Sequence, residues 1–310
     1  MVRFILRRLA LIPAILLLVN FFGFAYAYYV GPIQAQANPY SFSSPTIHRI
    51  GLMTQYWEYL SAVFRGDLGI LHTGVTINSI ILRSSAASLA LLGIAFVFSI
   101  LFGLVIGFGA VKLIPPRVAG WLTLFTTVGL AAPAFYIGVL LISLSVLYLI
   151  YGPGLKPLLP FQGFGWDAHL VLPALALMVQ PTAKIAQITS NLLVDEMGSQ
   201  YVVAARSFGN SLRKIRSHHA FRNVLASVVV VMSGSLRYMV AELIIIERLF
   251  GWPGIGRLFS TTLVMTSQSE NFLLPPLMAA LLTILAFLYL IADMIASILV
   301  RFYDPRVDKN

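Results

Sequence analysis

Three ionisable residues stand inside long apolar stretches of this 310-residue chain, where a charge is costly. They are Arg237 and Glu242 in one stretch and Asp293 in another. A charged side chain at the centre of a membrane helix costs at least ~2.5 kcal/mol unless protein or water surrounds it. Arg237 and Glu242 are five residues apart, hence about 140° apart around a helix, which is poor geometry for a mutual ion pair. We therefore predict that the three residues have other partners and border a translocation path, the alternatives being pairing with another subunit or snorkelling.

The sequence offers little for bond-making chemistry. It contains no Gly-x-x-x-x-Gly-Lys-Ser/Thr motif, so the chain cannot itself be an ATPase. Its five histidines lack metal-ligand spacing, so we predict no metal site. The absence of cysteine excludes disulfides and thiolate catalysis and leaves the redox compartment open. Serine and histidine are present, but no nucleophile–base spacing stands out, so an intramembrane enzyme is a weak alternative and no catalytic residue is predicted.

Composition places the chain in a lipid bilayer. Hydrophobic residues make up 59% and charged residues 10%, whereas roughly 25% of a soluble domain is charged. A length of 310 residues allows about six spans of ~20 residues. The net charge of +10 does not indicate nucleic acid, because the basic residues lie at the ends of apolar stretches and form no stripe. We therefore predict an all-α integral membrane protein.

We predict one transmembrane domain over residues 1–310, with spans at about 9–30, 84–111, 119–151, 169–190, 224–246 and 277–300. In this topology residues 31–81 form an external segment and residues 191–223 a cytoplasmic loop. Most of the lysines and arginines then fall on the cytoplasmic side, as the positive-inside rule requires. Both termini are predicted to be cytoplasmic.

The first apolar stretch, Leu9 to Val30, has a rival interpretation. Ala25-Tyr26-Ala27 fits the small-x-small pattern of a signal-peptide cleavage site. The stretch is longer than the roughly 7 to 15 apolar residues of a signal peptide, so we expect it to be retained as a span.

Several local features refine this topology. Pro133 should kink the third span. The segment from His48 to Phe64 has an apolar face suited to a helix lying on the outer surface of the membrane. Gly103 and Gly107 permit close approach of a second helix. Lys184, placed near the inner end of the fourth span, can snorkel to the interface.

The loop from Asn191 to Asn223 is a polar segment between long apolar stretches, and its residue pattern is that of helices and not of a flexible linker. Gly209-Asn210 is a stop signal, and Ser211 can cap a second helix. We predict a short helix with an apolar face, then a turn and a basic helix, offered to a soluble partner. The apolar residues at helical spacing are Tyr201, Val202, Ala205, Phe208 and Leu212.

Three stretches resemble one transport family. The run Tyr201 to Gly209, followed by His219 to Asn223, resembles the coupling-helix signature of ATP-binding-cassette importer permeases of the dipeptide and oligopeptide branch. Glu247 to Gly256 is similar to a segment at the outer end of that family's fifth span, and Asp304-Pro305-Arg306 to its closing tripeptide. The loop signature departs from the family pattern at three positions, Gln200, Val203 and Phe208.

The resemblance implies a type I ABC importer permease with six transmembrane helices and a cytoplasmic coupling helix, in a bacterial or archaeal cytoplasmic membrane. It implies as partners a second related permease, two ATPase subunits that bind ATP and magnesium, and an external solute-binding protein. The chain itself would hold no cofactor. The cargo implied is a peptide, with nickel, glutathione or oligosaccharide as alternatives. A stand-alone secondary transporter is the runner-up, but it would leave the polar loop without a purpose and the chain lacks two evident repeat halves.

The resemblance also implies roles for particular residues. The predicted ATPase-coupling residues are Tyr201, Ala204, Ala205, Arg206, Phe208, Gly209 and Leu212. The predicted outer-gate residues are Glu247, Pro253, Gly254 and Gly256.

Overall fold

The computed structural model describes residues 2–37, 51–71, 74–152, 159–264 and 273–303. The predicted closing tripeptide, Asp304-Pro305-Arg306, lies outside these ranges. Within them, six helices are long and apolar enough to cross a membrane, which confirms the all-α, six-span prediction. They cover Arg8–Gln34, Ile77–Gly109, Ala134–Tyr151, Ala168–Met197, Leu212–Phe250 and Pro275–Phe302.

The helices and strands follow one another along the chain with short connections. The α-helices are α1 (Val2–Ala37), α2 (Leu52–Phe64), α3 (Ile77–Gly109), α4 (Gly120–Ala131), α5 (Ala134–Tyr151), α6 (Val171–Met197), α7 (Gln200–Ser207), α8 (Leu212–Lys214), α9 (Phe221–Phe250), α10 (Ile255–Leu263) and α11 (Pro275–Tyr303). A 3-10 turn (Ala168–Leu170) precedes α6, and a π-helical segment (Ile215–Ala220) joins α8 to α9. Strands β1 (Val111–Leu113) and β2 (Pro116–Val118) form an antiparallel hairpin where the sequence predicts a tight turn.

The third predicted span is two helices. Helix α4 ends at Ala131, and α5 begins at Ala134 with Pro133 as its N-cap. Proline disfavours helical geometry in the residue before it, and Ala132 accordingly has ψ 117°. The predicted kink at Pro133 is therefore a complete break, and only α5 has the length of a membrane span.

The chain forms two compact units, the first comprising residues 1–90 and 251–291. Its core contains a polar junction around Asn20, the polar residue within α1. The Asn20 amide donates to the Tyr59 hydroxyl at 3.1 Å and to Thr283 Oγ1 at 2.9 Å, and it accepts from the Tyr56 hydroxyl at 3.3 Å. These bonds make a buried asparagine tolerable, because a polar group shielded from water needs partners. They also orient α2, whose opposite face exposes Met53 and Trp57, as an interfacial helix requires.

The second unit comprises residues 91–250 and 292–310. Helix α6 is at its centre and has buried residues along its whole length. Helix α3 approaches it closely. A Cβ atom added at Gly103 would lie 2.7 Å from Ile185 Cβ, and one at Gly107 would lie 2.7 Å from the Ala186 carbonyl oxygen. The predicted role of both glycines in close helix approach is confirmed.

Candidate functional site

The polar loop is almost wholly helical. Helix α6 continues to Met197, and α7 begins three residues later at Gln200. Gly209 ends the α7 turn with φ +82°, a conformation that side chains other than glycine rarely adopt. The Ser211 side chain accepts a bond from the Lys214 N–H at 3.4 Å and caps α8. The predicted stop and cap are both confirmed.

Helix α7 is attached to its own unit by the face that the sequence analysis offered to a partner. Val202 is buried in an apolar cluster with residues of α6, the π-helical segment and α9. Three of the predicted coupling residues pack against this cluster and are partly buried: Tyr201, Ala205 and Leu212. The apolar spacing at 201, 202, 205 and 212 therefore reflects packing against the chain's own helices, and these residues do not form the surface offered to a partner.

The opposite face of α7 is exposed and partly apolar. Val203 is 70% exposed and Phe208 85% exposed. Three further predicted coupling residues are exposed beside them: Ala204, Arg206 and Gly209. Val203 and Phe208 are two of the positions at which the loop departs from the family pattern. The surface available to a partner is thus formed by 203, 204, 206, 208 and 209, and we call it the α7 outer face.

Polar contacts stabilise the base of the loop. The Asn223 amide donates to Glu196 Oε1 at 2.8 Å, which links the start of α9 to the end of α6. Burial raises the pKa of the Tyr201 hydroxyl, and the Glu196 carboxylate adds to this increase. Tyr201 therefore remains protonated at neutral pH.

Arg216 joins the π-helical segment to the end of α3. Its guanidinium donates to the carbonyl oxygens of Phe108 and Val111 at 3.4 and 3.3 Å. The guanidinium carbon also lies 4.1 Å from the centroid of the Phe108 ring. Carbonyls at the end of a helix lack helical partners, and a cation satisfies them. This role could not be predicted from the sequence, because nothing there distinguishes Arg216 from the other basic residues of the loop.

The predicted outer-gate residues adopt the expected turn and short helix. Gly251 has φ +69°, and α10 begins at Ile255. In the first unit, Trp252 is buried and its indole N–H donates to the Ala87 carbonyl oxygen at 3.0 Å. The Ile255 N–H, between Gly254 and Gly256, donates to Ser88 Oγ at 2.8 Å. In the second unit, Glu247 is buried within α9.

Arg237 and Asp293 form an ion pair. The guanidinium donates to Asp293 Oδ1 at 2.6 Å, with 41% and 27% of the two side chains exposed. Arg237 thus pairs with a residue other than Glu242, as their 140° separation predicts. Glu242 Oε2 is buried, and the Glu242 side chain lies beside the Tyr238 hydroxyl one turn earlier in α9.

A cleft of about 360 Å³ lies between α6 and α9, and one of its lining residues, Tyr238, directly follows Arg237 in the chain. Gln180, Lys184, Ser235 and Tyr238 are among its lining residues. Because α6 extends to Met197, Lys184 has 13 residues on either side and lies at the middle of the helix, about 20 Å from each end. The span predicted from the sequence ends at residue 190, and α6 continues beyond it, so the snorkelling of Lys184 toward the inner interface stays a prediction.

The chain matches the family described as "Binding-protein-dependent transport system inner membrane component" over residues 99–309. It is 26% identical to the "Oligopeptide transport system permease protein AppB" of Bacillus subtilis (strain 168), covering 82% of this chain and 80% of that protein. It is 25% identical to the "Dipeptide transport system permease protein DppB" of Lactococcus lactis subsp. cremoris (strain MG1363), covering 99% of both. The "Glutathione transport system permease protein GsiC" of Salmonella choleraesuis (strain SC-B67) is 26% identical, covering 83% of this chain and 79% of that protein.

Six spanning helices, a helical polar loop and a cleft with a few polar side chains between two of the helices are the features of a multi-pass transport permease. The family match covers more than half of the chain and includes the whole loop. The chain belongs to the ABC importer permeases that form the inner-membrane component of binding-protein-dependent transport systems.

Proposed function

We propose that this chain is one of two permease subunits of an ATP-driven importer of dipeptides and oligopeptides. It forms half of the translocation path, and a second, related permease forms the other half. Two ATPase subunits bind ATP and magnesium and supply the energy, and an external solute-binding protein delivers the peptide.

The α7 outer face carries this proposal. Val203 and Phe208 expose apolar surface on a short helix, next to the positive charge of Arg206. An exposed apolar patch with a polar rim is typical of an interaction site. The inward face of α7 is attached to α6 and α9, so that a force on the outer face would be passed to the spanning helices. This surface is the docking site for one ATPase subunit.

The names of the relatives support a peptide cargo. Two of them are named for oligopeptide and dipeptide transport and one for glutathione transport. Glutathione is itself a modified tripeptide, so these cargoes share amide bonds and a free carboxylate. Glutathione is therefore the second candidate cargo, and a peptide without the γ-linkage is the first.

The proposed orientation places the polar loop and both termini in the cytoplasm of a bacterium or archaeon. The basic residues of the loop support it, because cytoplasmic loops are enriched in lysine and arginine. The external segment then faces the solute-binding protein.

The test is isolation of the intact assembly from its native membrane through a tag on this chain, followed by mass identification of the subunits. The assembly is then reconstituted in liposomes with internal ATP and magnesium, and uptake of radiolabelled trialanine and of glutathione is measured. Co-isolation of an ATPase and ATP-dependent uptake of trialanine are expected. Isolation of the chain with no ATPase, or uptake that continues without ATP, would overturn the proposal.

A further inference from the structure

A lysine lines the cleft at the centre of a membrane-spanning helix. Lys184 is exposed at the midpoint of α6, where the packed helices on either side leave a cleft of about 360 Å³. That volume is within the range of small-molecule binding sites. An ammonium group that lines a cleft within a spanning helix needs water or an anion around it.

A neutral polar group of the cleft also lacks a partner. Gln180 Oε1 is buried and has no hydrogen-bond partner among the described residues, whereas the Tyr238 hydroxyl lies beside the Glu242 carboxylate. Gln180 is one turn from Lys184 on α6, so both side chains lie on one face of the helix. Pro181, between them, has no N–H to donate to the Leu177 carbonyl one turn earlier. Unpaired polar groups are costly in a bilayer, so the cleft is suited to a polar occupant.

We propose that this cleft binds the carboxylate of the transported peptide, with the Lys184 ammonium as the donor. Gln180 Oε1 accepts a hydrogen bond from a peptide N–H. The inference rests on the proposed function, since it assumes that a peptide passes this point. Lys184 is thus a specificity-determining residue.

The arrangement favours brief binding. Lys184 supplies a single point charge on a flexible side chain, whereas an arginine would form bidentate hydrogen bonds with a carboxylate. A peptide carboxylate therefore gains one charge-assisted bond and can leave again. The carboxylate of an acidic side chain presents the same chemistry as the terminal carboxylate, and the experiment separates the two.

The first measurement uses the reconstituted assembly with its binding protein. Uptake of trialanine and of trialanine amide is compared for the wild type, Lys184→Gln and Lys184→Arg. The binding protein is the same in every case, so its own preference cancels when variants are compared. We expect Lys184→Gln to reduce the trialanine-to-amide uptake ratio about tenfold and Lys184→Arg to retain it. Lys112→Gln, which removes a lysine from the β1–β2 hairpin, is the matched control and should leave the ratio unchanged.

The second measurement needs no uptake and no binding protein. The assembly is treated with an amine-reactive reagent, and modification of Lys184 is followed by mass spectrometry. Trialanine should protect Lys184, and trialanine amide should not. Protection by the amide of Ala-Glu-Ala would assign the site to a side-chain carboxylate as well and would support the proposal. Equal modification with and without every peptide would overturn it, whatever the uptake ratio shows.

The two proposals can fail separately. A wild-type assembly that imports neither peptide contradicts the proposed function. In that case, protection of Lys184 by trialanine would still show whether a peptide carboxylate binds in the cleft. An assembly that imports trialanine, with a ratio unaffected by Lys184→Gln and no protection, refutes the carboxylate site and leaves the peptide importer intact. If the Lys184→Gln variant fails to assemble, protection of Lys184 by trialanine in the wild-type assembly decides whether the carboxylate site exists.

Discussion

At the scale of single residues, the ion pair between Arg237 and Asp293 allows two charged side chains to lie within spanning helices. Removing one partner abolishes the 2.6 Å contact and leaves one charge behind, whereas removing both leaves neither charge. We expect Arg237→Gln or Asp293→Asn alone to destabilise the chain by about 1 to 3 kcal/mol, between the values for exposed and for buried pairs. The double variant should lose less than either single variant. Thermal unfolding of the purified assembly in detergent measures this, and a double variant that is the least stable of the three would contradict pairing.

Glu242 is expected to influence the choice of cargo. Its Oε2 atom is buried next to the Tyr238 turn of α9, and a carboxylate there attracts cationic peptides. Glu242→Gln should lower uptake of Ala-Lys-Ala about three- to tenfold relative to trialanine, with assembly unchanged. Glu58→Gln, which alters an exposed glutamate of α2, is the control. Equal loss of uptake for both peptides, in proportion to lost assembly, would make Glu242 a structural residue.

Sequence reasoning found the charged residues of this region and missed the neutral ones. Charges in apolar stretches are recognised from their cost alone, which is why Arg237, Glu242 and Asp293 could be singled out. Gln180 and Tyr238 occur in many spans without a role, and only the cleft shows that they share it with Lys184. The spacing of Gln180 and Lys184, one helical turn apart, was the available signal.

At the scale of elements, one face of α7 packs against its own chain, and the opposite face is the proposed docking surface for the ATPase subunit. Phe208→Glu places a charge on the α7 outer face, and Ala204→Arg adds bulk and charge there. Both should reduce ATP-dependent uptake at least tenfold and weaken co-isolation of the ATPase, because a few central residues dominate an interface and contribute about 2 kcal/mol or more each. Membrane insertion should be unaffected.

The control for α7 is Phe208→Leu, which keeps the position apolar and should retain most uptake. Ala205 and Gly209 are less suitable test positions. Ala205 packs inward, and a side chain at Gly209 is strained by its positive φ. Normal uptake in both Phe208→Glu and Ala204→Arg would remove α7 from the ATPase interface.

The packing of α3 on α6 can be tested by adding one methyl group. At Gly103 a new Cβ would lie 2.7 Å from Ile185 Cβ, whereas at Gly93 nothing is within 4 Å. Gly103→Ala should destabilise the chain by about 1 to 3 kcal/mol through overpacking. Gly93→Ala is the matched control in the same helix and should stabilise slightly, because alanine favours the helix. Thermal unfolding in detergent compares the two, and equal effects would argue against close helix contact at Gly103.

The elements could be predicted where hydropathy alone determines them and less well where local chemistry intervenes. The break at Pro133 was expected as a kink, since sequence does not reveal whether neighbouring helices can accommodate the freed backbone groups. The apolar face of α7 was recognised, but periodicity cannot tell an inward face from a docking face. The ends of α6 and α9 extend beyond the apolar stretches because polar residues can continue a helix outside the bilayer.

At the scale of the whole molecule, we expect the first helix to be part of the mature protein. Ala27, at the signal-like cleavage site, is buried against Leu273 and Met278 in the first unit, and α1 continues past it to Ala37. Cleavage there would remove Asn20 from its junction with Tyr59 and Thr283. Intact-mass measurement of the purified chain decides this, and a mature chain starting at Tyr28 would contradict retention.

The π-helical segment Ile215–Ala220 holds one residue more than an α-helix of the same length would. It continues without interruption into α9, and a π turn is in effect an α-helix with one residue inserted. Deleting one residue from this segment would restore regular α-helical winding and leave Tyr238 and Glu242 close to their present direction. A one-residue deletion in the regular part of α9 before Tyr238 would instead rotate both side chains by about 100° and shift them by about 1.5 Å. Among related permeases, a single-residue gap is therefore expected in the π-helical segment and not in the helix that follows it.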